Sequence, residues 1–135
     1  AAPATPNADL RHLDILIVED NLINQKVAAK MLSSWSHGIS IANHGQEALD
    51  LLHDRQFDLI LMDMQMPAMG GVDASRRIRE LEQASGLRHT PIIAMTANAT
   101  ESDRQACLDA GMDDYIAKPI HAAQLKAIIA RHSAA

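Results

Sequence analysis

The chain has 135 residues, of which 47% are hydrophobic and 2% aromatic, and its formal net charge is −5. That length fits one domain with an aliphatic core, while the acidic balance and the lack of a long Lys/Arg run argue against a nucleic-acid surface. One cysteine, Cys107, leaves no internal disulfide framework and fits a reducing compartment, and no apolar run approaches the ~20 residues of a membrane helix.

No signal peptide is visible, and the first residue is Ala rather than Met, as expected of a piece of a longer chain. Residues 1–12 are rich in Ala, Pro, Thr and Asn without periodicity and are expected to be linker. Ile15-Leu16-Ile17-Val18 is a short β-branched run ending in Glu19-Asp20, which suits a central strand. Asn21 follows as an N-cap. Ile23, Val27, Met31 and Trp35 recur every fourth residue and predict the buried stripe of a first helix, ended by Gly38. Ile39 to Ala42 alternates and predicts a second strand, and a helix with Ala48, Leu49 and Leu52 inward follows Gly45.

Phe57 to Asp63 predicts the third strand, whose apolar run Leu59 to Met62 leads straight into Asp63, as in a strand buried on both faces. The Gly70-Gly71 pair after Pro67 predicts a flexible turn. A helix then reaches about Gln83, with Ala74, Ile78 and Leu81 on one face, and a loop containing Gly86 follows. Ile92 to Met95 predicts a fourth strand ending at Thr96. Ala97 to Ala110 is helical by propensity but weakly amphipathic, with Gly111 as its C′ residue. Tyr115 to Ala117 predicts a fifth strand ending at Lys118-Pro119, and Leu125, Ile128 and Ile129 mark the last helix. Five strand–helix repeats mean a parallel sheet covered on both faces by helices joined through right-handed crossovers.

Four of these strands end in a polar group: Glu19-Asp20, Asp63, Thr96 and Lys118. In a parallel sheet such ends share one edge, where open α/β sheets bind ligands. Three carboxylates placed together repel, and a hard cation such as Mg²⁺, held by carboxylates, waters and phosphate oxygens, relieves the repulsion. Asp63 could then act as a carboxylate nucleophile toward phosphorus. Lys118 could neutralise phosphate charge, and Thr96 could donate a hydrogen bond to a phosphate oxygen. Singly, each residue has a plainer reading: a cap for Asp20 or Thr96, a loop-entry carboxylate for Asp63, a solvated lysine for Lys118. The plainer readings do not explain why all four fall at strand ends.

Val18-Glu19-Asp20-Asn21, Met62-Asp63-Met64-Gln65-Met66-Pro67, Met95-Thr96-Ala97 and Gly111 through Pro119 closely resemble the motifs of receiver domains from two-component signalling. The resemblance spans about residues 13–132, with the receiver domain taken as 13–133. It implies a flavodoxin-like (βα)5 doubly wound sandwich with a five-stranded parallel sheet in the order 2-1-3-4-5. It further implies that Asp63 is phosphorylated and that Mg²⁺ is held by Asp20 directly, by Glu19 through water, by Asp63 and by the carbonyl of Gln65. By the same resemblance Lys118 is the site lysine, Thr96 and Tyr115 form the switch pair, Gln65 and Asn98 tune hydrolysis, and the Lys118–Pro119 bond is cis. Glu19-Asp20-Asn21 with Asn24-Gln25 looks most like receivers of hybrid sensor histidine kinases. Gly70-Gly71 and Trp35-Ser36 depart from the usual pattern without touching the site.

The implied function is a phosphorelay receiver. It takes a phosphoryl group from the phosphohistidine of a kinase, expected in the same parent chain, and passes it to a histidine phosphotransfer domain or to water. The fragment would catalyse its own phosphorylation and dephosphorylation without ATP-dependent kinase activity, in the cytoplasm, without direct membrane contact. The parent could be anchored in an inner membrane through other domains. A flavodoxin-type nucleotide-binding module is the second reading, opposed by the acidic turn after the first strand. An aspartyl hydrolase is the third, opposed by the lack of a second acid/base carboxylate next to Asp63. A receiver that is not phosphorylated is the fourth, opposed by the complete set of site residues. The seven histidines show no metal spacing and read as surface residues. The four methionines between 62 and 69 read as core and loop filling.

Overall fold

The computed structural model describes residues 13–35, 37–64, 70–97 and 100–133. Strands and helices alternate in the order β1 (Asp14–Val18), α1 (Leu22–Ser34), β2 (Gly38–Ala42), α2 (Gly45–Asp54), β3 (Leu59–Asp63), α3 (Gly71–Ser85), β4 (Ile92–Thr96), α4 (Glu101–Asp109), β5 (Asp114–Ala117) and α5 (Ala122–Ser133). All pairings are parallel, and the sheet order is β2-β1-β3-β4-β5. This is the flavodoxin-like arrangement expected from the sequence. No described helix is long and apolar enough to cross a membrane.

Every residue of β3 and β4 is buried, because helices cover both faces of the sheet. Side-chain alternation divides the core. Leu16, Val18, Ile60, Met62, Ile92 and Ala94 face one layer with Leu49, Leu52, Ala74, Ile78 and Cys107 of α2, α3 and α4. Ile15, Ile17, Leu59, Leu61, Ile93, Met95 and Ile116 face the other, with Ala28 and Leu32 of α1 and Leu125, Ile128 and Ile129 of α5. β2 lies at one edge of the sheet, beside β1 and two strands away from β3, so the strand without a functional end is an edge strand.

Helix α1 corrects the sequence reading. Its buried residues are Gln25, Ala28 and Leu32, whereas Ile23 is 71% and Val27 40% exposed. Met31 and Trp35 are only partly buried, packed against the second layer. The cause is local. Asn21 caps the helix by accepting from the N–H groups of Ile23 and Asn24, which fixes its start and hence its rotation. The small Ala28 then faces the sheet.

Helix α4 starts at Glu101, later than propensity indicated, because the Thr100 hydroxyl caps it by accepting from Asp103 N–H. Cys107 is its one buried residue. Gly111, with φ +94°, completes its C-terminal turn, its N–H donating to Leu108 and that of Met112 to Cys107. His37 corrects the view that every histidine lies on the surface. It is buried, and its Nδ1 accepts from Leu13 N–H at 3.2 Å.

The turn after α4 is held by a residue that the sequence did not announce. Arg79 of α3 donates to the Gly111 carbonyl (2.8 Å), the Thr90 carbonyl (2.9 Å), Glu82 (2.8 Å) and Asp113 (2.7 Å). Asp113 also accepts from Ile92 N–H, and Glu82 from Thr90 N–H. This network joins α3, the entry to β4 and the start of β5.

Candidate functional site

The carboxyl ends of β1, β3, β4 and β5 bring Glu19, Asp20, Asp63, Thr96 and Lys118 to one edge. Glu19 follows β1 and is buried; Asp20 beside it is exposed. Asp63 ends β3 at 1% exposure, and Thr96 ends β4 at 3%. The peptide bond between Lys118 and Pro119 is cis. The N–H of Lys118 donates to the Thr96 carbonyl at 2.7 Å, so β5 and β4 stay paired up to the site.

The Lys118 ammonium donates to Asp63 Oδ1 at 2.9 Å and lies 3.1 Å from Glu19 Oε1. Burial would lower its pKa, but hydrogen bonding to Asp63 and then to Glu19 carries it above the ordinary lysine range, so the ammonium keeps its charge. Glu19 responds oppositely. Burial and the neighbouring Asp63 push its pKa up, against the opposing pull of Asn21 N–H and Lys118. Its Oε2 accepts from Asn21 N–H at 3.1 Å. Its Oε1 is buried and is held by the ion pair with Lys118.

Glu19, Asp20 and Asp63 each place one carboxylate oxygen within 4.8 Å of the others. Among the described residues one ammonium, that of Lys118, stands against these three carboxylates. An oxygen-only donor set, partly buried and with excess negative charge, fits a hard divalent cation such as Mg²⁺. Gln65 and Asn98 lie outside the described residues.

Thr96 and Tyr115 sit on adjacent strands. Thr96 pairs with Ala117 and Ala94 with Tyr115, so the two are diagonal neighbours on one face of the sheet. Tyr115 is half-buried against the layer that contains Cys107 and Met112. Cys107 belongs to packing. Its Sγ is 3.8 Å from the sulfur of Met64, and burial with nearby Asp103 pushes the thiol pKa up, away from the reactive thiolate.

Two features of the site were missed by sequence. Gln25, buried in α1, donates from Nε2 to the Glu19 carbonyl (2.5 Å) and to Asn43 Oδ1 (2.8 Å). Its only signal was the Asn24-Gln25 pair one turn into the helix. Gly71 was read as part of a flexible turn, yet it is a buried helical residue with no positive φ. A Cβ there would lie 2.5 Å from the Asp63 carbonyl oxygen, so glycine is required for close approach.

Comparison with known proteins agrees with this geometry. The family model "response regulator receiver domain" matches residues 15–130. Hybrid signal transduction histidine kinase I of Dictyostelium discoideum is 42% identical over 120 residues, covering 85% of this chain and 7% of that protein. Probable histidine kinase 1 of Oryza sativa subsp. indica is 39% identical over 140 residues, covering 83% of this chain and 14% of that protein. The chain thus spans only a small part of these curated relatives. Among solved structures, the receiver domain of a sensor histidine kinase from Pseudomonas aeruginosa, with magnesium coordinated in its active-site cleft, superposes with a TM-score of 0.82 at 40% identity, covering 92% of this chain and 99% of that one. The receiver domain of Ssk1 from Saccharomyces cerevisiae, crystallised with the histidine phosphotransfer protein Ypd1, gives 0.85 at 32% identity, covering 90% and 89%. Fold, the convergence of acidic groups with a lysine, and these likenesses agree: the chain belongs to the response regulator receiver domain family.

Proposed function

We propose that this receiver accepts a phosphoryl group on Asp63 from a phosphohistidine, in a Mg²⁺-dependent reaction, and yields it to a histidine phosphotransfer domain or to water. One observation carries the proposal. A nearly buried carboxylate at a strand end, Asp63, shares a 2.9 Å hydrogen bond with a lysine and lies within 4.8 Å of two further carboxylates.

Glu19, Asp20 and Asp63 would hold the ion, with Gln65 as the remaining ligand that family resemblance implies. When bound, Mg²⁺ supplies positive charge beside the phosphoryl oxygens. In the transfer, an Asp63 carboxylate oxygen forms a bond to phosphorus. The bond from phosphorus to the donor imidazole nitrogen breaks, and its electron pair stays on that nitrogen, giving an acyl phosphate and a free histidine. Lys118, already charged against Asp63, moves its hydrogen bond to a phosphoryl oxygen as charge builds there. The Thr96 hydroxyl donates to another. Inward movement of Thr96 leaves room for its diagonal neighbour Tyr115 to turn, and the surface of α4, β5 and α5 changes with it. Gln65 and Asn98 are assigned to tuning hydrolysis.

A transfer partner must place its histidine against Asp63 and so must cover this edge. On α1, next to the acidic turn, Leu22 (64%), Ile23 (71%) and Val27 (40%) are exposed. A shallow cavity of about 80 Å³ continues the patch between Asn24, Val27, Lys118, Pro119 and Ile120. Such a patch supports docking of a phosphotransfer helix onto α1. The donor kinase is assigned to the same parent chain and the receiver to the cytoplasm, with any membrane anchor in other domains.

The test is intact-mass measurement after incubation with Mg²⁺ and a small phosphodonor or a phosphohistidine donor. A Mg²⁺-dependent, acid-stable and base-labile adduct on wild type but not on Asp63→Asn is expected. No adduct from either class of donor would overturn the proposal.

A further inference from the structure

We infer that Gln25 is a positioning residue for the metal site: its buried side-chain amide fixes the acidic turn that carries Glu19 and Asp20, and so sets Mg²⁺ affinity. The inference rests on the metal reading above.

Glu19 has its backbone clamped at both ends. Its N–H donates to the Ala42 carbonyl at 3.0 Å, and its carbonyl accepts from Gln25 Nε2. The following peptide is therefore fixed in orientation, and with it the direction in which Asp20 leaves the chain. The same Nε2 donates to Asn43 Oδ1. Asn43 is anchored in turn, since both its N–H (2.7 Å) and its Nδ2 (3.1 Å) donate to Glu47 Oε1 of α2. The amide orientations are not interchangeable. The Glu19 carbonyl and the Glu47 carboxylate are pure acceptors, so Gln25 must present its NH₂ to the first and Asn43 its NH₂ to the second. Asn43 Oδ1 is then left facing Gln25. One chain of hydrogen bonds thereby runs from α2 through the β2–α2 turn to α1 and the acidic turn.

Polar groups that orient metal ligands typically change metal affinity 10–100-fold when removed. Gln25 is buried and cannot be replaced by water without rearrangement. A methionine there keeps the shape and loses both donors, leaving the Glu19 carbonyl free to rotate.

The experiment titrates MgCl₂ alone into the 135-residue chain and follows backbone amide resonances around Asp63 and Lys118, well below the unfolding temperature. Gln25→Met is expected to raise the Mg²⁺ dissociation constant at least about ten-fold. Asn43→Ala, which removes only the anchor of the amide, is expected to raise it by a smaller factor. It also keeps the test sharp if Gln25→Met fails to fold. Ile129→Val, a core change in α5, controls for lost stability and is expected to leave the constant unchanged. Wild-type affinity in Gln25→Met, or in Asn43→Ala should Gln25→Met not fold, would overturn the role of Gln25, as would equal weakening in the Ile129→Val control. A wild-type chain that binds no Mg²⁺ would overturn the metal reading beneath it.

Discussion

Gly71 stands where a methyl group does not fit. The 2.5 Å approach to the Asp63 carbonyl oxygen, with Met64 Cα at 3.0 Å, leaves only backbone to give way. Alanine has the higher helix propensity by about 1 kcal/mol, but relieving this overlap costs about 1–3 kcal/mol. Gly71→Ala is therefore expected to be no more stable than wild type in urea unfolding and up to about 2 kcal/mol less so, with slower phosphoryl uptake as Asp63 is displaced. A variant more stable than wild type would show that the helix moves away freely. The contrast with Asp63 itself shows what single residues disclose in a sequence. Glu19, Asp20, Asp63, Thr96 and Lys118 were legible because a polar residue at the end of an apolar strand is conspicuous. Gln25 was not, because an amide on a helix ordinarily meets solvent, and only the fold places the Glu19 carbonyl beside it. Gly71 was visible as a glycine, but its reason lies in a contact between α3 and the end of β3. His37 was misplaced for a similar cause: its ring is buried as the acceptor for Leu13 N–H, a partner 24 residues away.

The strands show the opposite balance among the elements. Four short apolar runs and one alternating segment located all five of them, and their alternation with helices gave the parallel sheet. Helix faces were less legible. In α1 the four-residue repeat of Ile23 and Val27 is real but faces outward, because the cap at Asn21 and the buried Gln25 set the rotation. That reversal makes a testable distinction. Ile23→Ser and Val27→Ser are expected to change stability by no more than about 0.5 kcal/mol, since both side chains are substantially exposed. Phosphoryl uptake from a small donor should be unchanged, while transfer to a phosphotransfer partner should slow. Loss of several kcal/mol would instead mean that these residues belong to the core.

Helix α5 is tied down at its end. Asp114 of β5 accepts from Arg131 at 2.8 Å and lies 3.0 Å from His132 Nε2. Burial alone would raise the pKa of Asp114, but the bond to His132, the N–H of Tyr115 and the charge of Arg131 together lower it. A lowered carboxylate pKa adds stability that is present above the unfolded value near 3.9 and is lost as pH falls through the lower folded value. The stability gap between wild type and Asp114→Asn is therefore expected to close as pH falls below the unfolded carboxylate value. A gap that is unchanged in acid would place its origin outside this charge cluster.

The whole molecule combines a well-filled core with a site whose charges do not balance. Both layers of the sheet are closed by aliphatic packing, yet at one edge, among the described residues, Glu19, Asp20 and Asp63 face a single lysine. Burial and Asp63 push the Glu19 pKa up, which means that the folded chain holds this carboxylate less comfortably than water does. The fold therefore carries a local cost that a bound divalent cation would offset. A ligand that binds only the folded state stabilises it by RT ln(1 + [L]/Kd). Mg²⁺ at ten times its dissociation constant is expected to add about 1.4 kcal/mol, roughly 4–6 °C in Tm for a domain of this size. Asp63→Asn removes one of the repelling charges while its amide oxygen still accepts from Lys118. It is expected to melt above wild type without metal and to gain less from Mg²⁺. Thermal unfolding of the two proteins with and without Mg²⁺ measures all four values. A wild-type Tm that ignores Mg²⁺, or an Asp63→Asn chain that melts below wild type in its absence, would show that Lys118 alone already balances the cluster.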